Sequence, residues 1–177
     1  MPFYQVKSTP GGQILYSGHF INFRACLEHA VTEGVSLKNA DLRRANLLNA
    51  TLDGADLRGA DFTAANLAGA NVSEAKLDNA LFTAATLTGA VLCESSLTGA
   101  HFIGTQFGAT LIDDCVLDHA HFSALSTFTL DFSAARSMRD CLFIGSDQTV
   151  FPMTRPPGVV RGLPRLLVLM DCHMPVM

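Results

Sequence analysis

The chain repeats a five-residue pattern over nearly half of its 177 residues, between Ala40 and Phe122. Every fifth position is large and apolar. A short fixed period constrains the fold more than any other property, because each repeat must adopt the same local structure. The large apolar positions are Leu37, Leu42, Leu47, Leu52, Leu57, Phe62, Leu67, Val72, Leu77, Phe82, Leu87, Leu92, Leu97, Phe102, Phe107, Ile112, Leu117 and Phe122.

A small residue stands two places before each large one. It is alanine at 13 of the 17 positions from Ala40 to Ala120. A period of five matches neither a helix nor a simple strand. In extended backbone, residues two apart point to the same side, so each small and large pair points inward together. The chain must then turn before the next pair, and four such sides close a coil of about 20 residues whose backbone pairs with the next coil at about 4.8 Å.

Grouping the large residues that lie 20 positions apart gives independent support for a four-sided coil. One column gathers Phe62, Phe82, Phe102 and Phe122, while the other columns are mostly leucine. Aromatic rings at equivalent places are expected to stack along the axis of such a coil. A period of five alone does not sort the phenylalanines in this way.

The repeats resemble those of the pentapeptide repeat family. The units are Ala-Asp-Leu at 40–42 and 55–57, Ala-Asn-Leu at 45–47 and 65–67, and Ala-Asp-Phe at 60–62. The resemblance covers about Val35 to Phe122 and continues weakly to Leu142. It implies an all-β fold, a right-handed quadrilateral β-helix of about five coils, here with a short N-terminal helical cap.

Three parts are expected: a hairpin and helix cap at 1–34, the repeat β-helix at 35–144, and an irregular cap or tail at 145–177. Residues 21–34 read as a short helix with Asn22 as its N-cap and Gly34 as its stop. Before it, apolar residues on both sides of Pro10-Gly11-Gly12 predict a hairpin, namely Tyr4, Val6, Ile14 and Tyr16.

The C-terminal end departs from the repeat. Leu125 and Leu130 stand where the repeat needs small inward residues, and Phe128 stands one position after the place of a large residue. These departures indicate a bulge or broken coil near 124–131. Residues 135–143 are expected to make one last imperfect turn. Beyond them, the aliphatic segments 159–160 and 166–170 are consistent with either a capping strand pair or a dimer contact through a solenoid end.

Composition excludes several classes of protein. No apolar run reaches the length of a membrane span, and the N-terminus lacks the pattern of a signal peptide. The five cysteines are irregularly spaced, which predicts free thiols in the cytoplasm rather than a disulfide framework. The net charge of −4 argues against direct binding of nucleic acid.

Neither catalysis nor a cofactor is predicted. No nucleophile elbow, phosphate-binding loop or His-Glu-x-x-His motif is present, so the chain is not expected to be an enzyme. His101, His119, His121 and Cys115 have no zinc-ligand spacing, and we predict no metal site. The glycines fall at coil corners, where turn chemistry explains them, namely Gly54, Gly59, Gly69, Gly89 and Gly99.

Charge is the informative property for function. Between Lys76 and Arg136 the sequence has neither Lys nor Arg. The coil period places five acids on one face, which is expected to display no base, and aligns Glu74, Glu94 and Asp114 on successive coils. Like charges opposed across strands are destabilising, so either the acids serve recognition or they have aligned by chance. The predicted partner-binding residues are Asp53, Glu74, Glu94, Asp113 and Asp114.

The resemblance implies how such a face would act. Family members that protect or inhibit type II topoisomerases are thought to occupy the enzyme's DNA groove by imitating DNA. The expected partner is therefore a DNA-binding enzyme such as DNA gyrase. The alternative is a general protein-interaction scaffold or adaptor that uses the C-terminal tail and an uncharged face, formed by His101, Ile103, His121, Ala84, Gly104 and Ala124.

Overall fold

The computed structural model describes residues 1–123, 126–127 and 129–145, together with the backbone of three further strands. The elements before the repeats are β1 (Phe3–Lys7), β2 (Ile14–His19) and α1 (Phe23–Thr32). The elements in and after the last repeats are β3 (His101–Phe102), β4 (His121–Ser123), a 3-10 helix (Phe132–Ala134), β5 (Cys141–Ile144), β6 (Val150–Met153), β7 (Gly158–Val160) and β8 (Leu167–Leu169).

Parallel pairing between residues 20 apart builds a β-helix solenoid. Asp41 pairs with Asp61, and the same spacing continues down to the pair formed by Ser96 and Val116. The amide of each central residue donates to a carbonyl of the following coil, as in the 2.9 Å bond from Leu42 N to Asp61 O. Most sides make one bridge rather than a run of paired residues, so few of the described residues form regular strands.

The phenylalanine column forms a continuous stack inside the solenoid. Ring centroids lie 4.9 Å apart for Phe62 and Phe82, and 5.0 Å apart for each of the next two pairs down to Phe122. The stack continues to Phe143 at 5.3 Å. All five rings are buried, so the predicted inward column is confirmed and is one ring longer than the sequence indicated.

Polar residues at the small inward positions donate hydrogen bonds to carbonyl groups of the preceding coil. The Ser95 hydroxyl donates to Val72 O at 2.8 Å, and the hydroxyls of Thr105 and Thr110 donate to equivalent carbonyls. The thiol of Cys115 does the same toward Leu92 O at 2.8 Å. A buried hydroxyl without a partner would be costly, which explains why only residues able to reach this carbonyl replace alanine.

The corners turn through left-handed backbone. The glycines at 54, 59, 69, 89 and 99 have φ between 65° and 69°, which confirms their predicted role. Asparagine occupies the same position in other coils, and the Asn39 side chain lies over Gly59 of the next coil where a Cβ would stand. Glycine and asparagine tolerate this conformation better than other residues.

The predicted hairpin and helix both form at the N-terminal end. Strands β1 and β2 pair antiparallel. Helix α1 is capped by Asn22, whose Oδ1 accepts from Ala25 N at 2.8 Å, and the chain leaves it through Gly34 at φ 68°. Leu27 packs into the core. Among the described residues no helix has the length and apolar character that a bilayer crossing requires.

The last coil is one residue longer than the others. Val116 pairs with Ser137, and Phe122 with Phe143, at a spacing of 21. Of the residues predicted to break the coil, Leu130 is buried, whereas Leu125 and Phe128 lie outside the described residues.

Phe107 departs from the predicted inward set, because it is only partly buried. The reason is a corner that does not form: Ala109, at the end of this repeat, lacks the left-handed φ found at most other corners.

Antiparallel pairs follow the last coil. Strand β6 pairs with β5, and β7 pairs with β8. The predicted strand pair near 159–160 and 166–170 is therefore present as β7 and β8. Its role as a cap or a dimer contact stays a prediction.

The phenylalanine stack is expected to dominate stability. Phe82→Ala should lower the free energy of unfolding by about 3–5 kcal/mol, because it leaves a cavity between two stacked rings. Phe82→Leu should cost less, about 1–2 kcal/mol, since leucine fills the central position on the other sides of the coil. Urea denaturation followed by circular dichroism measures both. Equal losses for the two variants would contradict a packed stack.

Candidate protein-recognition surface

The five predicted acids lie on one side of the solenoid, which we call the acidic face (Asp53, Glu74, Glu94, Asp113 and Asp114). Backbone bonds hold this side in register: Glu74 N donates to Cys93 O at 2.9 Å, and Glu94 N to Asp113 O at 2.8 Å. Glu74, Glu94 and Asp114 therefore follow one another at the spacing of adjacent strands, about 4.8 Å. The structure brings the predicted residues together as one column with two flanking aspartates.

All five acids are exposed. Within the described residues, the carboxylates of Asp53, Glu74 and Glu94 have no hydrogen bond or ion pair from another side chain. Asp113 differs, because its Oδ2 accepts from the Cys93 thiol at 3.6 Å. Three unpaired negative charges thus stand on the upper part of the face.

The prediction that this face displays no base is wrong at its C-terminal end. Arg136 Nε lies 3.8 Å from Asp114 Oδ1. The physical reason is that Arg136 lies in the coil below at the register of Cys115, to whose carbonyl its amide donates at 2.9 Å, and its exposed side chain extends toward Asp114. Both side chains are more than half exposed, so the pair is weak and ends the column without neutralising the acids above it.

The column occupies strained backbone. Glu74, Glu94 and Asp114 have φ of 55°, 61° and 55°. Left-handed backbone costs an ordinary residue about 1–2 kcal/mol, whereas Gly54 occupies the same corner in the coil above without that cost. Other corners carry Arg44, Ala64 and Ala84 in the same conformation, so the backbone alone does not single out these acids. Their mutual repulsion does disfavour them.

Sequence reasoning missed an apolar strip beside the acids. Thr51, Asn71, Val91 and Leu111 form one paired column on this face. Leu111 is 49% exposed and Val91 is partly exposed. The signal was available, since Val91 and Leu111 replace the Asp or Asn that occupies this place in the early repeats. A partner can therefore meet both charge and apolar surface on the same side.

Acids on other sides are paired instead. Arg58 donates to both carboxylate oxygens of Asp56 at 2.7 and 2.8 Å. This hydrogen bonding lowers the pKa of Asp56 to about 2. Arg43 binds Asp41 in the same way. The unpaired charge is thus concentrated on the acidic face.

The histidines and Cys115 do not form one cluster. Cys115 points inward, and burial raises the pKa of its thiol to about 12. His119 lies 3.9 Å from Asp140, while His101 and His121 contact each other on another side. Within the described ranges no group of three or more His, Cys, Asp or Glu side chains is placed to hold a metal ion. Of the predicted uncharged face, Ala124 lies outside the described residues.

Asp118 should stabilise the last coil in a pH-dependent manner. Burial alone would raise its pKa, but hydrogen bonds from Arg139 and Ser137 outweigh burial and hold the pKa at about 2. A folded pKa below the unfolded value stabilises the fold above pH 4 and loses this effect as the pH falls toward 2.

Asp118→Asn is therefore expected to lower the free energy of unfolding by about 1–2 kcal/mol at pH 7, where the exposed Arg139 is screened by solvent, and to change it little at pH 2. Urea unfolding at the two pH values measures this. Asp53→Asn is the control, because its side chain is exposed and has no partner among the described residues. A loss that is the same at both pH values would contradict the assignment.

The acids of the column should reduce stability. Replacing Glu74 and Glu94 with asparagine removes repulsion and relieves left-handed strain, so each change should raise the free energy of unfolding by about 0.5–1 kcal/mol. Glu33→Asn is the matched control, because Glu33 has φ −77° at the end of α1. Thermal unfolding of the variants tests this, and destabilisation by the paired asparagines would refute it.

The repeated geometry has counterparts among known proteins. A family model of pentapeptide repeats matches in eight copies, over residues 23–59, 45–83 and 75–111. No curated protein sequence matches the chain.

Three solved structures are similar. One is a pentapeptide repeat protein from the thylakoid lumen of Arabidopsis thaliana, with 27% identity over 58% of this chain and 75% of that one, and a TM-score of 0.27. QnrB1, a plasmid-mediated fluoroquinolone resistance protein, has 23% identity over 59% and 57%, with a TM-score of 0.27. HetL from Nostoc sp. strain PCC 7120, involved in the regulation of heterocyst differentiation, has 21% identity over 66% and 62%, with a TM-score of 0.19.

This chain spans less than two thirds of QnrB1 and of HetL. The family model, in contrast, extends over residues 23–111, half of the chain, and beyond helix α1 it covers the coils described above. The chain belongs to the pentapeptide repeat family.

Proposed function

We propose that this protein acts without catalysis, by recognising another protein through its acidic face. The partner is a DNA-binding enzyme, a type II topoisomerase such as DNA gyrase, whose basic DNA groove accepts the acidic face in place of DNA. The observation that carries the proposal is the column of exposed acids at corners where the fold favours glycine. Glu74 and Glu94 lie in that column without a positive partner among the described residues.

Charge spacing supports imitation of a phosphate strand in part. Duplex DNA carries one charge per about 1.7 Å of axis, or about 3.4 Å along one strand. The column carries one per coil, at about 4.8 Å. Since the Debye length is about 8 Å at physiological ionic strength, neighbouring acids act together on an approaching basic groove. Such attraction accelerates association and weakens as salt rises.

The alignment of unpaired acids supports a functional origin. The corner above them is Gly54, and Asp41 and Asp56 on other sides are paired with arginine. Retaining two glutamates at such corners lowers stability, and binding of a partner offsets that loss.

The proposal includes a particular architecture. The solenoid is a right-handed quadrilateral β-helix of about five coils, which gives the acidic face its length. The hairpin and helix at 1–34 cap the repeats at 35–144, and 145–177 form the opposite cap. Two copies associate through a solenoid end and double the length of the acidic face. The protein acts in the cytoplasm, where DNA gyrase is found.

A second candidate is a general protein-interaction scaffold or adaptor. The side paired through Asn46, Asn66, Thr86 and Gln106 supports it, because its outward positions carry no charged residue and Leu48 there is 44% exposed. The side that carries His101 and His121 is similarly uncharged after Asp61. Such surfaces bind partners with little dependence on salt.

DNA supercoiling by gyrase tests the first function. We expect inhibition at micromolar protein that weakens between 50 and 200 mM salt, since the attraction is electrostatic. Replacing Glu74 and Glu94 with glutamine should raise the half-inhibitory concentration about threefold, and replacing all five acids with Asn or Gln about tenfold or more. The matched control for the double variant changes Glu33 and Asp140 to Gln and Asn, which alters net charge equally and should leave inhibition unchanged.

Other outcomes separate the candidates. Inhibition that survives neutralisation of all five acids rejects the acidic face as the binding surface. The absence of any effect at micromolar protein rejects gyrase as the partner. Binding of a protein partner that the neutralised variant retains, but that deletion of 151–177 abolishes, supports the scaffold function instead.

A further inference from the structure

His101 and His121 form a close pair on the outer surface of the solenoid. They are direct partners in the parallel pairing of β3 with β4. Their ring centroids lie 4.4 Å apart with an interplanar angle of 50°, closer than the rings of the phenylalanine stack. The coil register therefore holds two imidazoles side by side although they are 20 residues apart in sequence.

Within the described part of the chain, the ring nitrogens of this pair are available to a ligand. Among the described residues, neither ring has a hydrogen bond or an ion pair, in contrast to His19 and His29, whose nitrogens are bonded. Leu81 precedes His101 in the same column and Leu142 follows His121. Neither neighbour in the column offers a charge that would occupy the imidazoles, and both rings are partly exposed.

We propose that His101 and His121 together bind one divalent transition-metal ion of the zinc or nickel type, with water completing its coordination. Imidazole is a preferred ligand of these ions. Metal–nitrogen bonds of about 2.0–2.1 Å require the two nitrogens to lie within about 4 Å of each other. Rings with centroids 4.4 Å apart meet this requirement after small side-chain rotations. The ion would join adjacent coils.

The neutral form of His121, which binds a metal, is favoured near neutral pH. Burial, followed by the neighbouring His101, lowers the pKa of His121, so its neutral form, which is the metal ligand, is present at pH 7.

The remaining candidates do not join the pair, because His119 faces Asp140 and Cys115 points inward. A site with two protein ligands differs from the closed four-ligand sites of structural zinc, and it leaves coordination positions open to a ligand from outside.

Isothermal titration of the full chain with NiCl2 and ZnCl2 at pH 7.5, under a non-thiol reductant, tests the site. We expect one ion per chain, a binding constant at least tenfold weaker in His101→Gln and in His121→Gln, and weaker binding at pH 5.5. His119→Gln is the matched control and should bind within about twofold of the wild type. Cys93→Ser should also retain binding, which excludes the partly exposed thiol as the ligand.

A second measurement needs no variant. Zinc added to the wild-type protein should shift the imidazole NMR resonances of His101 and His121 and leave those of His119 in place. It should also raise the melting temperature, because the ion binds only the folded chain. Unchanged binding in both glutamine variants, loss of binding in the His119 control, or the absence of any shift at millimolar zinc would overturn the site.

Discussion

Register between successive coils is the constraint on which the rest of the molecule depends. Backbone hydrogen bonds between residues about 20 apart set it, and the stacked rings from Phe62 to Phe143 enforce it from inside. A slip of one residue would turn inward side chains toward water, which the buried rings do not allow. Most sides make one bridge each, so no single bridge determines the register and successive bridges must agree.

The same register determines the surface. Residues that are far apart in sequence become neighbours whenever their numbers differ by 20, which creates the acid column and the pair of His101 and His121 alike. Where the spacing becomes 21, the pattern changes. The ring stack continues through Phe143, but on the surface Arg136, at the register of Cys115, pairs with Asp114 and the acid column ends. Core and surface therefore respond differently to one additional residue.

Much of this could be read from the sequence, because a period leaves few free choices. The phenylalanine column, the corner glycines and the Asn22 cap depend on local spacing, and all three are confirmed. The pairing of Arg136 with Asp114 and the partial exposure of Phe107 could not be read in this way. Both depend on how an irregular segment rejoins the coil, and a segment without a period carries no register of its own.

The acids on the other sides of the solenoid differ from those of the acidic face, because arginine pairs with several of them. An arginine two residues after an aspartate neutralises it locally, as Arg43 does for Asp41 and Arg58 does for Asp56. Residues two apart point to the same side of an extended segment, so one substitution is enough to create this pair anywhere in the repeat. On the acidic face no such pair forms among the described residues: Lys76 stands two residues after Glu74 but makes no ion pair with it, and Ser96 stands two residues after Glu94. Left-handed backbone is common to the corners at Arg44, Ala64 and Ala84, so it does not distinguish the acids. What distinguishes Glu74 and Glu94 is that, within the described residues, they lie in line without a positive partner. This supports the positively charged partner proposed above.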